Sequence, residues 1–139
     1  MANTFSMKIA LYTDGGSRGN PGPAAWGFVI YIDNKKAMAK GGYLGHTTNN
    51  VAEYTACIEG LKSIKDTWGV GHEVYCFADS QLMIEQLNGR YKIKAEHLKP
   101  LVATMHTLST GQNISYQHIP REKNVEADKL VNITLDQHR

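Results

Sequence analysis

The first third of the chain alternates short β-branched and aromatic runs with turn residues, a pattern typical of β structure. It predicts strands over Lys8–Thr13, Ala24–Ile32 and Lys36–Leu44. The Gly-, Asn- and Pro-rich stretch Ser17–Pro23 predicts a turn, and the Asp-Asn pair at positions 33–34 predicts a hairpin. Consecutive strands joined by such short turns most simply form an antiparallel meander.

From Thr48 onward the apolar positions recur at steps of three and four, which predicts helices. The first helix should begin at Thr48 or Asn49 and run to about Trp68. The remaining pattern predicts helices over Ser80–Leu87, Glu96–Leu108 and Val125 to about Leu135, the last capped by Asn124, with strands over Glu73–Ala78 and Ile114–Ile119.

Three strands followed by helix–strand units predict an α/β fold, a mixed five-stranded sheet with helices on its faces. The strands that begin at Lys8 and Glu73 should be parallel neighbours. The helix from Thr48 would then supply the right-handed crossover between them.

Length and composition are those of one globular domain. The chain has 139 residues, of which 42% are hydrophobic and 20% charged, which excludes a disordered or collagen-like chain. Its apolar runs are too short for a membrane span. We expect a single domain over 1–139, with 1–6 as a possible leader and 136–139 as a disordered end.

Two cysteines, Cys57 and Cys76, lie in apolar segments, and the chain begins without a secretory signal. These features favour free buried thiols in a reducing compartment, so we expect a cytoplasmic location. The net charge of +2 is weakly basic and by itself says little about partners.

Four carboxylates fall at the ends of predicted elements. Asp14 ends the first strand and Asp79 ends the fourth, so both should emerge at the carboxyl edge of the sheet, where α/β sheets bind ligands. Glu53 lies in the first turns of the crossover helix, and Asp128 lies in the first turn of the last helix. The pattern therefore predicts one shared acidic site.

Each acid taken alone has a structural explanation. Asp14 could form a turn, Asp79 could cap a helix, and Glu53 and Asp128 could serve a helix dipole. However, Glu53 and Asp128 have apolar sequence neighbours, where a carboxylate is costly without a partner. The coincidence of all four at one edge favours a site.

Four segments of the chain carry a family resemblance that spans Met7 to about Leu135. They are YTDGGSRGNPGPAAWG from Tyr12, TTNNVAEY from Thr47, DSQL from Asp79 and NVEADKL from Asn124. With these segments in this order, the chain resembles a type 1 ribonuclease H. The resemblance implies a sheet of order 3-2-1-4-5 and cleavage of the RNA strand of RNA/DNA hybrids, leaving 5′-phosphate and 3′-hydroxyl ends.

The resemblance also implies which residues act. Asp14, Glu53, Asp79 and Asp128 would bind two Mg²⁺ ions, with Mn²⁺ as a substitute. His118, ten residues before Asp128, would assist the attacking water or product release. Contacts with the hybrid are implied for the following residues: Gly15, Asn20, Thr48, Asn49, Asn50 and Gln81.

One region departs from the family pattern. Some members carry a Trp- and Lys-rich protrusion before the third helix, whereas this chain has only the short stretch Asn88–Ala95 there. A smaller basic substitute remains, consisting of Arg90, Lys92, Lys94 and Lys99. We expect Lys92 and Lys94 to contact the hybrid.

Clustered carboxylates suit Mg²⁺, a hard cation that takes oxygen ligands. Two cysteines 19 positions apart and no paired histidines make a structural zinc site improbable. The Gly-rich turn after Asp14 leads into a strand and has neither a dinucleotide nor a P-loop spacing.

Two alternatives stay open, namely another nuclease on this scaffold and a non-catalytic nucleic-acid-binding module. The sequence indicates no protein partner, and we expect a monomer.

Overall fold

A computed structural model describes residues 6–138 of the chain. In chain order the strands and α-helices are β1 Lys8–Ser17, β2 Gly22–Ile32, β3 Lys35–Thr47, α1 Asn49–Trp68, β4 Glu73–Ala78, α2 Gln81–Leu87, α3 Lys99–Ser109, β5 Asn113–His118 and α4 Val125–Gln137. Short 3₁₀ helices precede α3 and α4, at Glu96–Leu98 and Arg121–Lys123.

The five strands form one sheet in the order β3-β2-β1-β4-β5. The first three strands are antiparallel, whereas β4 pairs in parallel with both β1 and β5. This arrangement confirms the predicted fold. The hairpin between β2 and β3 is also confirmed, since Asp33 and Asn34 both adopt the positive φ values that a tight hairpin turn requires.

Strand β1 is four residues longer than predicted, so Asp14 is not its last residue. Pairing with β4 ends at Thr13, opposite Ala78, but pairing with β2 continues to Ser17. Glycine permits this extension beneath α1, because a Cβ atom on Gly15 would lie 2.2 Å from the backbone of Ala52. Asp14 therefore lies one residue beyond the parallel ladder.

Helix α1 covers one face of the sheet and forms the main core with it. The Thr48 hydroxyl accepts a hydrogen bond from the Val51 amide at the start of α1, and Gly69 ends the helix. Fully buried side chains at this interface include Ile9, Leu11, Phe28, Ile30, Tyr54, Leu61, Ile64 and Val74. A cap and a large core together hold the N-terminus of α1 at the sheet edge.

Helix α4 packs on the other face, chiefly against β2. It extends to Gln137, so residues 136 and 137 belong to the helix where we expected a disordered end. Asp136 forms an ion pair with Arg18 at 2.8 Å, and His138 stacks on Tyr43. Residue 139 and residues 1–5 of the possible leader lie outside the described residues.

Candidate active site

The four predicted acids meet at one cavity of about 400 Å³ at the sheet edge. Asp14 and Asp79 each stand one residue beyond the Thr13–Ala78 pair, where β1 and β4 part. Glu53 and Asp128 reach the same cavity from the first turns of α1 and α4. The predicted convergence of strand ends and helix starts is therefore present.

Glu53 is held where α1 and α2 begin close together. The close approach of α1 to Gly15 places the first turns of the helix directly over β1. The Ser80 hydroxyl accepts from the Met83 amide at 3.3 Å, which caps α2, and Ser80 also lies close enough to the Glu53 carboxyl to lower its pKa. Ser80 rather than Asp79 is the cap, so the Asp79 carboxylate is not used in capping α2.

Asp128 lies in the first turn of α4, and its amide donates to the Asn124 carbonyl at 3.1 Å. The Asn132 side-chain amide, one turn further on, donates to the Asp128 carbonyl and to its carboxylate. The Asp128 carboxyl also lies beside that of Asp14, close enough to raise its pKa.

The electrostatics of the cavity favour protonated acids in the absence of a cation. Burial, the charge of Asp79 and the adjacent Asp128 carboxyl raise the pKa of Asp14 to about 8. Burial also raises the pKa of Glu53, although the nearby Ser80 hydroxyl opposes this effect. The site therefore holds like charges close together at a cost that a bound cation would remove.

Two carboxylate oxygens provide a test of whether a cation fits. Glu53 Oε2 and Asp79 Oδ2 are buried and have no hydrogen-bond partner among residues 6–138. A buried carboxylate oxygen without a donor is costly, and a divalent cation is a partner that would satisfy both. The oxygen-only donor set suits Mg²⁺ or Mn²⁺.

No three His, Cys, Asp or Glu side chains within the described part of the chain already stand as a group that could hold a metal ion. Mg²⁺ does not need a closed protein cage, because it keeps several waters and is usually bound by one or two carboxylates together with substrate phosphates. The residues present fit ions that bind together with a phosphate substrate.

Arg121 was missed by the sequence analysis. It lines the acidic cavity, and its Nε atom lies 3.9 Å from Asp79 Oδ2. Its side chain is 85% exposed, so the guanidinium is open to a ligand at the cavity mouth. Its spacing in the sequence carries no signal of this placement, because the residue lies in a short 3₁₀ helix between β5 and α4.

His118 occupies a different position. It is the last residue of β5, opposite Ala78, and it is exposed. It is not among the residues that line the acidic cavity. Its assignment as a catalytic residue stays a prediction.

Three predicted hybrid contacts form a hydrogen-bonded corner beside the cavity. Asn49 Oδ1 accepts from the Ser17 amide at 2.8 Å and from the Ser17 hydroxyl at 3.0 Å. Asn20 Oδ1 accepts from the Asn49 amide at 3.1 Å, and Thr48 is the α1 cap. These bonds use the side-chain oxygens of Asn20 and Asn49 as acceptors. They therefore leave the side-chain Nδ2 donors of both residues unused.

A second cavity, of about 540 Å³, lies beside the stretch Asn88–Ala95, the connector that precedes α3. Asn50, Tyr91, Lys92 and Lys94 are among the residues that line it. Gln81 is exposed as the first residue of α2. The other two basic residues are engaged in ion pairs, since Arg90 contacts Glu85 and Lys99 contacts Glu96, each at 2.7 Å. Lys92 and Lys94 are exposed at this cavity.

Among residues 6–138 we find no helix with the length and apolar character that a membrane crossing requires.

Comparison with known proteins places the chain among nucleic-acid enzymes. The family described as "Reverse transcriptase-like" matches residues 12–134. "Bifunctional protein Rv2228c" of Mycobacterium tuberculosis is 38% identical over 133 residues, which are 94% of this chain and 36% of that protein. The chain thus spans about a third of that relative's length.

Two further comparisons cover nearly the whole of both chains. "Ribonuclease H" of Legionella pneumophila is 30% identical over 146 residues, which cover 94% of this chain and 99% of that protein. Among solved structures, LC11-RNase H1 in complex with an RNA/DNA hybrid superposes with a TM-score of 0.89 at 41% identity. That match covers 94% of this chain and 98% of the other.

Proposed function

Because the chain belongs to the type 1 ribonuclease H family, we propose that it is an endoribonuclease that hydrolyses the RNA strand of RNA/DNA hybrids. The observation that carries this proposal is the convergence of Asp14, Glu53, Asp79 and Asp128 on one cavity. Two of their oxygens are buried without a hydrogen-bond partner among residues 6–138. A similar protein, LC11-RNase H1, is known in complex with such a hybrid.

In this proposal the four acids hold two Mg²⁺ ions, for which Mn²⁺ can substitute. When bound, the ions would supply activation of the attacking water and charge stabilisation at the leaving oxygen, and cleavage would leave 5′-phosphate and 3′-hydroxyl ends. Asp14 and Asp79 would hold the ions from the ends of the β1–β4 ladder, and Glu53 and Asp128 from the two helices. Asp14 must lose its proton before it can ligate.

Arg121 would act at the mouth of the cavity. Its guanidinium is exposed and carries five N–H donors that suit a phosphate. Before substrate binds, its position 3.9 Å from Asp79 Oδ2 offsets part of the negative charge. The scissile phosphate would replace this contact.

The hybrid would lie across the corner formed by Asn20, Thr48 and Asn49 and extend toward the connector. The side-chain Nδ2 donors of Asn20 and Asn49 would hydrogen-bond phosphate and sugar oxygens. Discrimination of RNA from DNA requires contacts with the 2′-hydroxyl, for which we propose Asn49, Asn50, Gln81 and the backbone at Gly15. Lys92 and Lys94 would contact backbone phosphates.

We propose a monomeric catalytic unit, because all four acids come from one chain. A cytoplasmic location is supported by the thiols of Cys57 and Cys76, which are buried and free. The non-catalytic alternative is disfavoured because clustered buried acids are costly unless they have a use. Substrate preference distinguishes a ribonuclease H from another nuclease on this scaffold.

The test is a cleavage assay with four end-labelled substrates, namely an RNA/DNA hybrid labelled on either strand, duplex DNA and duplex RNA. We expect Mg²⁺-dependent cleavage of the hybrid's RNA strand alone, and complete loss with excess chelator. Cleavage of duplex DNA would indicate another nuclease. Cleavage that survives chelation would refute the two-metal mechanism, and binding without cleavage would support the non-catalytic alternative.

A further inference from the structure

Asn124 stands immediately before α4, where an asparagine ordinarily accepts a hydrogen bond from the first turn of its own helix. Here its side chain makes no such bond, which corrects our prediction that it caps α4. Instead, Asn124 Nδ2 donates to the Thr13 carbonyl of β1 at 2.8 Å, in a buried position. The side chain is therefore turned away from the helix and toward the central strand.

In the side-chain amide of Asn124, only the nitrogen makes a hydrogen bond with residues 6–138. The residue is 1% exposed, and its Oδ1 atom has no hydrogen-bond partner among residues 6–138. The orientation of the amide follows from chemistry, because a backbone carbonyl such as that of Thr13 can only accept. The unpaired buried Oδ1 acceptor lowers stability, so the bond from Nδ2 to Thr13 is made in spite of this cost.

Through its side chain and its backbone carbonyl, Asn124 contacts both β1, which carries Asp14, and α4, which carries Asp128. Its side chain binds Thr13, the residue before Asp14, and its backbone carbonyl accepts from the Asp128 amide at 3.1 Å. One residue thus links the part of β1 that presents Asp14 to the first turn of α4 that presents Asp128. The polar contacts of Arg18 with Asp136 and Asn132 lie further along α4.

We propose that Asn124 is a positioning residue that holds Asp128 against Asp14 so that both can ligate one divalent cation. The inference rests on the proposed function, since it assumes that these acids bind metal. Both carboxylates must be ionised to ligate a cation, and in that state they repel each other, so without the tether the N-terminus of α4 would move away from β1. Removal of residues that orient metal ligands typically weakens metal binding about 10- to 100-fold.

The experiment compares Asn124→Ala with Thr134→Val. Thr134 is on the same helix and 8% exposed, and its hydroxyl donates to the Leu130 carbonyl at 2.8 Å. The control therefore also removes a side-chain hydrogen bond from α4, a part-buried one that does not reach β1. Mn²⁺ binding is measured by calorimetry at a temperature where circular dichroism shows all proteins folded, and hybrid affinity is measured without metal.

We expect Asn124→Ala to weaken Mn²⁺ binding at least about tenfold and to raise the Mg²⁺ concentration for half-maximal cleavage in parallel. Metal-free hybrid affinity should stay within about twofold, and Thr134→Val should leave Mn²⁺ binding unchanged. Equal Mn²⁺ binding by parent and Asn124→Ala would overturn the proposal. Equal weakening in both variants would do the same, since it would indicate a general effect of destabilisation.

A second variant covers the case in which Asn124→Ala does not fold. Asn124→Asp keeps the side-chain shape but replaces the donor with an acceptor. An added carboxylate should by charge alone tighten cation binding, so weaker Mn²⁺ binding by this variant would identify the broken tether. Tighter binding would refute it.

The proposed function and the inference fail in distinguishable ways. A parent protein that binds Mn²⁺ but does not cleave the hybrid would refute the function and leave the tether to be judged by calorimetry. A parent that cleaves, together with an Asn124→Ala variant of unchanged metal affinity, would refute the tether alone. A parent that neither binds Mn²⁺ nor cleaves the hybrid in its presence would refute both.

Discussion

Asp14 and Asp79 each follow the last pair of the parallel β1–β4 ladder, in which Thr13 faces Ala78. Two neighbouring parallel strands therefore deliver two carboxylates to the same edge without any loop between them. The charge of Asp79 is the second cause, after burial, of the raised pKa of Asp14. The same closeness that favours cation binding lowers the stability of the metal-free protein.

Replacement Asp79→Asn should separate activity from stability. We expect hybrid cleavage to fall by several orders of magnitude, because a proposed metal ligand is removed. The free energy of unfolding in metal-free buffer at about pH 9, where Asp14 is ionised, should instead rise by about 1 kcal/mol, the scale of one pKa unit of relieved repulsion. Thermal and urea melts of both proteins, with and without Mg²⁺, measure the second effect.

The control for this variant is Asp66→Asn, which removes the same charge from an exposed position on α1. It should change neither quantity. Saturating Mg²⁺ should shrink the gain of Asp79→Asn, because binding to the folded state stabilises the parent. If Asp79→Asn is less stable than the parent without metal, Asp79 has a structural role that outweighs repulsion.

The raised pKa of Asp14 predicts how stability depends on pH. Its pKa is about 8 in the folded protein against 3.8 ordinarily, so between about pH 4 and pH 8 the unfolded chain binds fewer protons than the folded one. Linkage then requires that metal-free stability fall as pH rises through this window. Urea melts from pH 5 to pH 8 measure the slope, and Asp14→Asn should flatten it.

Metal activation should show the opposite pH trend. Asp14 must be deprotonated to ligate, so the Mg²⁺ concentration for half-maximal cleavage should fall as pH rises and should level off above about pH 8. Initial cleavage rates over a matrix of pH and Mg²⁺ concentration test this expectation. A half-activating concentration that is constant from pH 6 to pH 8 would contradict it.

The exposed connector lysines should contribute affinity through phosphates. We expect Lys92→Ala with Lys94→Ala to weaken hybrid binding and to reduce the log–log salt slope by about 0.9 for each phosphate that the protein no longer neutralises. Lys62→Ala with Lys65→Ala, on the exposed side of α1, is the matched control of equal charge. Unchanged affinity and slope in the first variant would remove the connector from the binding surface.

Substitutions at Arg121 and His118 test two separate assignments. Arg121 lines the acidic cavity and His118 does not, so Arg121→Ala should lower kcat by about 10²-fold, the scale expected when one charge-stabilising donor is removed. Arg121→Lys should recover part of that activity, since it keeps the charge without the planar fork. His118→Ala tests the family-based assignment of His118: a decrease in kcat would support that assignment, and an unchanged kcat would contradict it.

Much of the fold could be predicted because its elements are encoded locally. β4 lies at Glu73–Ala78 as predicted, and α1 ends at Trp68 with Thr48 as its cap. Gly15 to Ser17 were predicted to lie beyond β1 because glycine is typical of turns. They continue the strand because α1 packs so closely that only glycine fits at position 15, and that packing is a tertiary effect.

The sequence by itself determined that four acids stand at element ends, and so predicted one acidic site. It could not determine that Arg121 faces Asp79 or that Asn124 binds Thr13 across 111 positions. Both side chains lie in or beside a short irregular segment, where no periodicity sets the direction of a residue. Only the packing of α4 on the sheet decides that direction, because it brings together groups that local patterns cannot relate.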